Sequence, residues 1–578
     1  MIRILIDGRQ LIFTEGFSTD FVRANSIMTR TGDYTYSIDV DMRIPSNAIL
    51  YAHLTRLNAS PVKTGRRAEI WNDNVLLAKG VESVLKVNGY TAKIQILANN
   101  SEVNYMFDSA AKIRQMDFGK CETATAEKAK AVLDKYYPEA NEAYPVLKIG
   151  EDKYNWSDTR IASAGKYEFQ GDEWVRPMPY VLFIIDKMME TLGYEIGINN
   201  IDKEKYKRLV VIHGYDTIEY ARMLPDWTVS QALDEFEKFF NVVFCFDGSR
   251  KIVDIVNVDE FYETEGYVYV NGVRVIDEHD KDFEASADEI LSSYTNVGYD
   301  VPSSEFWTFQ HIDKEIYDIL RKENLKLNYH HEYKNTDMVI YWDEERKCEW
   351  IHWEAEEVPN DDARYKYARI VNQYKDYVSD DNEDVTRMKM IPAETYSEYF
   401  TDDHGGHMFG FPSTSVNAVG SNKLSDVIRG GSADASIDTM QVAFYLGVLE
   451  FRDIGGGRYG LGYGIPTAAC KYYQQHYNVI WTYAKEDFPD FSGDFPLYLK
   501  TLTLELCGIY GRVQTELHNS LHVDTSCLYT ITFIADRFLD PRMKFVINNR
   551  LFYCKQLKYK VENGRMSDEV EGEFYAAK

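Results

Sequence analysis

Cysteine is scarce. Seven thiols, Cys121, Cys245, Cys348, Cys470, Cys507, Cys527 and Cys554, are spread over 578 residues. No two have the close spacing of a zinc knuckle or a redox pair, and the low, odd count argues against a disulfide scaffold. Buried free thiols are expected. Long apolar runs are lacking too, and no stretch approaches the ~20 residues of a membrane-spanning helix. The start, MIRILIDGRQLIF, has neither an apolar leader core nor a small-residue cleavage site. It is therefore expected to be made in a cytoplasm, without a membrane anchor. Basic residues are in deficit, 64 against 92 acidic ones, for a net charge of −28. Phosphate contacts need a basic face, and no Lys/Arg cluster exists, so a nucleic-acid-binding surface is not expected. No GxSxG, HExxH or P-loop string occurs.

What is present is an ordinary globular composition, 45% hydrophobic and 27% charged, with 43 tyrosines. The length predicts roughly three or four domains. The best-specified stretch is Leu224–Val258, LPDWTVSQALDEFEKFFNVVFCFDGSRKIVDIVNV. Thr228 and Gln231 have capping-box spacing. Val229, Ala232, Leu233, Phe236, Phe239 and Phe240 share one helical face, with Asp234, Glu235, Glu237 and Lys238 expected to face away. Asn241 stands at the C-cap. A strand over Val242–Phe246, a turn at Asp247-Gly248 and a return over Lys251–Val258 complete a helix laid across a hairpin. An earlier stretch, Met178–Glu195, has the same layout. Leu182, Ile185, Met188, Met189 and Leu192 line one face, Gly193 stops the helix, and a strand begins at Tyr194. The two units are expected to form one small α/β domain.

Residues 1–105 read as β. Ile2, Ile4 and Ile6 alternate, as do Tyr34, Tyr36, Ile38 and Val40. A helix is expected over Ser46–Leu57. Ala68 and Ile70 lead into a turn at Asn72-Asp73-Asn74, and Val84–Leu97 is a hairpin around Asn88-Gly89. Thr123–Tyr136 has helical composition. Beyond residue 263, strands are expected at Gly266–Val275 and Met338–Trp342, and helices at Lys314–Asn324 and Asp362–Gln373. The acidic run Ser379–Asp384 and the glycine-rich stretches 405–420 and 429–431 read as loops. At the end, Tyr529, Ile531 and Phe533 alternate. Lys544–Ile547, Leu551–Tyr553, Leu557–Val561 and Val570–Tyr575 follow as strands, so the terminus is expected to dock in a sheet.

Three groups of residues have chemical spacing. Asp403-His404-Gly405-Gly406-His407 holds two histidines, but glycines between them fit a surface loop better than a metal site. His330-His331 and His352 could approach across a hairpin. Neighbouring residues of a strand point to opposite faces, so at most one would meet His352. Gly455-Gly456-Gly457-Arg458-Tyr459-Gly460 matches a dinucleotide fingerprint as a string, yet LGYGIP follows where a helix is required. A loop is expected. No catalytic, cofactor-binding or metal-ligating residue is therefore assigned.

The organisation is a β domain with a helix, an inserted α/β domain, and more β. Asp33–Ile44 with Ser46-Asn47, Gly80–Leu97, and the LPDWTVSQALDEFEKFF helix with its VVFCFDGSRKIVDIV hairpin carry it. Over about the first 260 residues this resembles the tail hub proteins at the baseplate or tail tip of bacteriophages. Tyr34–Ile38 stands where that family has a Y-x-x-x-I strand, and Gly80-Val81 where it has the G-x-V start of a barrel hairpin. The resemblance implies an α+β, mainly β fold of tube-like β-barrel domains with an inserted α/β domain of helix–strand units. Domains are expected at 1–105, 106–262, 263–425 and 426–578. It implies a virion protein without catalysis, assembled in the host cytoplasm. Three chains would form a six-barrel ring. That ring would join the tail tube or distal tail protein to a distal spike or fibre, with the tape-measure protein as a further partner that passes through its channel, and DNA passing without specific binding. A receptor- or carbohydrate-binding tail protein and a polysaccharide-degrading tail enzyme are the competing classes.

Overall fold

The computed structural model describes residues 1–56, 65–107, 111–122, 124–145, 147–149, 153–154, 175–215, 217–263, 266–278 and 296–300. Further on it describes 308–311, 328–332, 338–343, 348–353, 367–371, 385–402, 405–413, 439–455, 458–469, 502–504, 506, 511–517, 523–535 and 537–577.

The alternating isoleucines form β1 (Ile2–Ile6), all three buried. A turn at Asp7-Gly8 returns the chain as β2 (Arg9–Gln10). β3 (Ser18–Ala24) leads into α1 (Ser26–Thr29), capped by the Asn25 side chain. β4 (Tyr34–Thr35), β5 (Ile38–Asp41), α2 (Pro45–Leu50), β6 (Arg66–Asn72), β7 (Val75–Asn88), β8 (Thr91–Ala98) and α3 (Asn100–Phe107) follow. The alternation over Tyr34–Val40 is thus two strands, not one. Thr35, Ile38 and Val40 are buried while Tyr36 is exposed, so the phase slips between the strands. The cause is the loss of one neighbour. β4 lies between β3 and β8, β5 pairs only with β8, and the Tyr36 N–H between them donates to the Asp20 carbonyl. The α2 helix ends well before Leu57, because Ala52 and His53 adopt positive φ.

α4 (Ala126–Ala131) sits inside the expected Thr123–Tyr136 helix. After short strands β9 (Glu142–Ala143), β10 (Lys148–Ile149), β11 (Lys153–Tyr154) and β12 (Met178–Pro179) come α5 (Val181–Leu192), β13 (Glu195–Asn199) and β14 (Leu209–Ile212). α6 (Val229–Phe240), β15 (Val242–Asp247), β16 (Ile252–Asn257) and α7 (Val258–Glu263) complete the insertion. α6 has the capping box between Thr228 and Gln231 and a left-handed Asn241 at its end, as its sequence demands. β13 runs parallel to β16, which is antiparallel to β15, so both helix–strand units share one sheet. The unbroken VVFCF run has a physical reason. Val242, Phe244 and Phe246 pack into the helical core, while Val243 and Cys245 pack with Ile27, Tyr553 and Tyr575 on the other face. A strand covered on both faces needs apolar residues at every position.

The chain continues through β17 (Tyr267–Val270), β18 (Val273–Glu278), β19 (Val297–Tyr299), β20 (Thr308–His311), β21 (Asn328–Glu332), β22 (Met338–Asp343), β23 (Cys348–Trp353) and β24 (Tyr367–Val371). Next come β25 (Thr386–Met388), β26 (Met390–Pro392), β27 (Glu394–Asp402), β28 (Gly405–Ser413), β29 (Met440–Gly455) and β30 (Arg458–Ala469). Two expectations fail here. Tyr367–Val371 is a strand between β20 and β23, not helix, because sheet neighbours override a weak local preference. The glycine-rich Gly405–Ser413 is a strand paired with β27, not a loop. The expected helix Lys314–Asn324, the acidic run and the remaining glycine-rich stretches lie outside the described residues.

α8 (Arg512–Thr515), β31 (Val523–Ile534), β32 (Lys544–Ile547), β33 (Arg550–Glu562) and β34 (Arg565–Ala577) close the chain. Leu551–Tyr553 and Leu557–Val561 are one bulged strand rather than two. As expected, the last strand is docked, between β31 and β33.

Strands from both ends of the chain form one 14-stranded sheet. Its two halves meet where β3 pairs antiparallel with β33, from Ser18↔Glu562 to Ala24↔Gln556. The C-terminal half has the order β17-β32-β33-β34-β31-β18. Its first and last strands are consecutive in sequence, joined only by Asn271-Gly272. Three peptide steps span at most about 11 Å. The half-sheet must therefore curl until its edges nearly meet, a barrel left open along one seam. In the N-terminal half, residues 11–17 likewise join β2 to β3, the two outer strands of that half. One apolar core, including Ile4, Ile94, Phe545 and Phe574, fills both halves. The fold is α+β and mainly β, with the helix–strand insertion held against the joint. Phe236 is fully buried. Phe236→Ala is expected to destabilise the insertion by about 3–5 kcal/mol, read from its unfolding transition, and an unchanged transition would contradict the assigned helix face.

Candidate functional site

Among the described residues, those with chemical spacing do not assemble into a site. His331 pairs with Ile340 on β22 and His352 with Val339 on the same strand, so β21 and β23 flank β22 instead of meeting. His407 lies in β28, while Asp403 and His404 fall outside the described residues. Gly455 and Arg458 close the β29–β30 hairpin. The residues after the glycines form β30, so the fingerprint string marks a strand turn and not the expected flexible loop. Four cysteines are free and buried. Burial pushes the thiols of Cys121 and Cys245 up to about 11, which removes the thiolate that chemistry would need.

Instead the structure gathers polar residues that the sequence did not single out, at junctions between elements. Cys121 lies 3.3 Å from both Glu142 and the Tyr144 hydroxyl, and the Tyr220 hydroxyl donates to Glu142 at 2.6 Å. Glu142, on β9, thereby ties three segments together. Arg512 is fully buried at the C-terminal end of α6. Its guanidinium donates to the Phe239 carbonyl and the Tyr299 hydroxyl (2.9 Å) and pairs with Glu516 (3.0 Å). A cation is favourable there, because the last carbonyls of a helix point outward unpaired.

Glu235 and Glu237 correct the sequence reading of α6. Both were placed on its solvent face, yet both are buried. Glu235 accepts from the Lys389 N–H at 2.6 Å. Glu237 accepts from the Phe244 N–H at 2.9 Å and pairs with Arg30 at 3.1 Å. Arg30, the left-handed C-cap of α1, also meets Asp234. The charged face of α6 is thus turned toward the β halves and the 385–393 segment, and holds them. Asn100 works similarly from α3. Its side chain bonds the Phe244 carbonyl (2.6 Å) and the Phe246 N–H (2.9 Å), and so covers the open edge of β15. These arrangements position parts. None places an acid, a base and an open cleft together.

What remains is surface. Along the C-terminal half, Tyr267 and Tyr269 on β17, Val275 and Ile276 on β18, and Ile534 on β31 are exposed. A second exposed group, Leu85, Val87 and Tyr90, sits at the tip of the β7–β8 hairpin. Exposed apolar residues on strands mark contact surfaces. Among the described residues, no three of His, Cys, Asp and Glu gather as metal ligands, and no helix is long and apolar enough to cross a membrane.

No protein-family model matches the chain, and no curated protein matches it in sequence. Solved structures do align with it. The 43 kDa tail protein of prophage MuSo2 from Shewanella oneidensis aligns over 99% of this chain and 95% of its own, at 6% identity and a TM-score of 0.32. The tail protein from Neisseria meningitidis MC58 aligns over 100% and 96%, at 7% identity and a TM-score of 0.28. Both are tail proteins by description, the first of a prophage, and scores this low carry no argument about this chain.

Burial raises the Glu237 carboxyl to about 7, although Arg30 and the Phe244 N–H oppose the shift. An unfolded glutamate titrates near 4.3. Between these values the folded state holds a proton that the unfolded state lacks, so this group's stabilisation is present at low pH and lost as pH rises toward 7. The loss is on the order of 3 kcal/mol. Glu237→Gln should flatten the fall of the melting midpoint between pH 4.5 and 7. Parallel profiles for both proteins would show that Glu237 is not the group responsible.

Proposed function

We propose that this chain is a structural virion protein, the hub at the baseplate or tail tip of a bacteriophage tail. The observation that carries the reading is the 14-stranded sheet, in which one chain supplies two curled β halves fused side by side through β3 and β33. A helix–strand insertion braces the joint from one side. Three such chains present six curled units in a ring. That number suits a sixfold tube above and a threefold spike or fibre below. Ring closure also accounts for a protein whose strand edges would otherwise invite uncontrolled pairing.

The role is one of fit and not of catalysis. The buried polar groups are consumed in holding segments together, which a hub needs because it transmits load between tube and spike. Its partners are further copies of itself, the tube or distal tail protein, the tape-measure protein and the distal spike or fibre. DNA passes without specific contacts. The net charge of −28 serves this passage. A basic wall would release counterions and hold the phosphates, whereas an acidic wall lets them slide.

Mass measurement in solution is expected to give a trimer, and class averages of the particle a threefold ring with a central hole. A chain that stays monomeric at assembly concentrations, alone and beside its tube protein, contradicts the proposal. The residues facing the hole should be mainly Asp and Glu. A hole lined by Lys and Arg, or tight DNA binding by the ring at physiological salt, refutes the channel assignment.

A further inference from the structure

The seam of the C-terminal half is bare in a specific way. β18 pairs with β31 on one side, and among the described residues no strand pairs with its other side. Ile276 stands opposite Ile531, which is fully buried in the barrel core. Directly opposed residues share a face, so Ile276 belongs to the core face too. It is nevertheless 46% exposed, and Val275 on the outer face is 49% exposed. Among the described residues, β18 therefore leaves its open ladder edge and apolar side chains of both faces uncovered together. Soluble proteins protect such an edge or pair it.

The sheet has two further open ends: β17, which faces β18 across the seam of the same half, and β2 at the far end of the other half. The Leu11 N–H turns inward to the Ile4 carbonyl, so the Gln10 N–H, one residue before, points outward. Arg9 and Gln10 are exposed, as is Ile12 beside them. The two ends differ in charge. β2 carries Arg9, and β18 ends in Asp277-Glu278 after Arg274.

We infer that β18 of one chain pairs with the β2 edge of a second copy, so that the 14-stranded sheet continues from chain to chain. This rests on the ring reading. A threefold ring closes only through heterologous contacts, which join two different patches. β18 cannot then pair with its own equivalent, and the opposite end of the same sheet is the edge that keeps the sheet continuous. Pairing covers Val275 and Ile276 and supplies partners for the backbone of β2 and for the part of β18 opposite it.

Two edge-blocking variants of the full chain test this by mass in solution. Ile276→Lys puts a charge on the inward face of β18. Gln10→Pro removes the outward donor of β2 and leaves its inward bonds intact. Each alone should be a folded monomer with a cooperative unfolding transition, while a mixture should form a two-chain species and nothing larger. If Ile276→Lys fails to fold, Val275→Lys on the outer face takes its place. Wild-type assemblies that persist in either variant overturn the edge pairing but leave the ring reading standing. Self-association of Gln10→Pro alone into a dimer also overturns it, in favour of β18 pairing with β18. A monomeric wild type overturns the ring and the pairing together.

Discussion

The antiparallel pairing of β3 with β33 is the constraint on which the other packing depends. It joins residues 18–24 to residues 556–562, across nearly the whole chain. Without it the N-terminal and C-terminal strands are separate half-sheets, each with a long open edge. With it they share one core, and Asn25 at the end of β3 reaches the carbonyls of Pro541 and Cys554. Closing a loop of this length is entropically costly, but the cost grows only slowly with length, and the shared core exceeds it. The expected consequence is kinetic, because contacts this distant in sequence form late.

The insertion is fastened at that joint. Tyr553 and Tyr575, outward from the C-terminal strands, meet Ile27 and Met28 of α1 and the second face of β15. The carboxylates of α6 complete the attachment through Arg30 and Lys389. These polar contacts therefore sit between elements distant in sequence.

Local structure was legible wherever local forces decide it. The capping box of α6, its Asn241 stop, the β15–β16 hairpin, the Asn88-Gly89 turn and the docked last strand all follow from residue spacing. The failures are equally physical. Tyr34–Val40 loses its phase because the chain leaves β3 midway while keeping β8, and Tyr367–Val371 is a strand because two strands flank it. Glu235 and Glu237 looked solvent-facing because a helical wheel knows nothing of what packs against the polar side. The exposed edge at β18 was hidden for the same reason. The sequence shows a strand near Gly266–Val275 but not that it is two, or that among the described residues no strand pairs with the outer side of the second.

By itself the sequence determined the local elements, the mainly β class with its helix–strand insertion, the free thiols and the acidic balance. All of these depend on side-chain period, turn chemistry or composition, which are properties of neighbours along the chain. Only the tertiary structure decided which strands pair, that both chain ends enter one sheet, where the seam opens and which charges are buried. Those outcomes depend on backbone hydrogen bonds, and backbone groups are the same in every residue. Pairing between distant strands therefore leaves no mark in either strand alone.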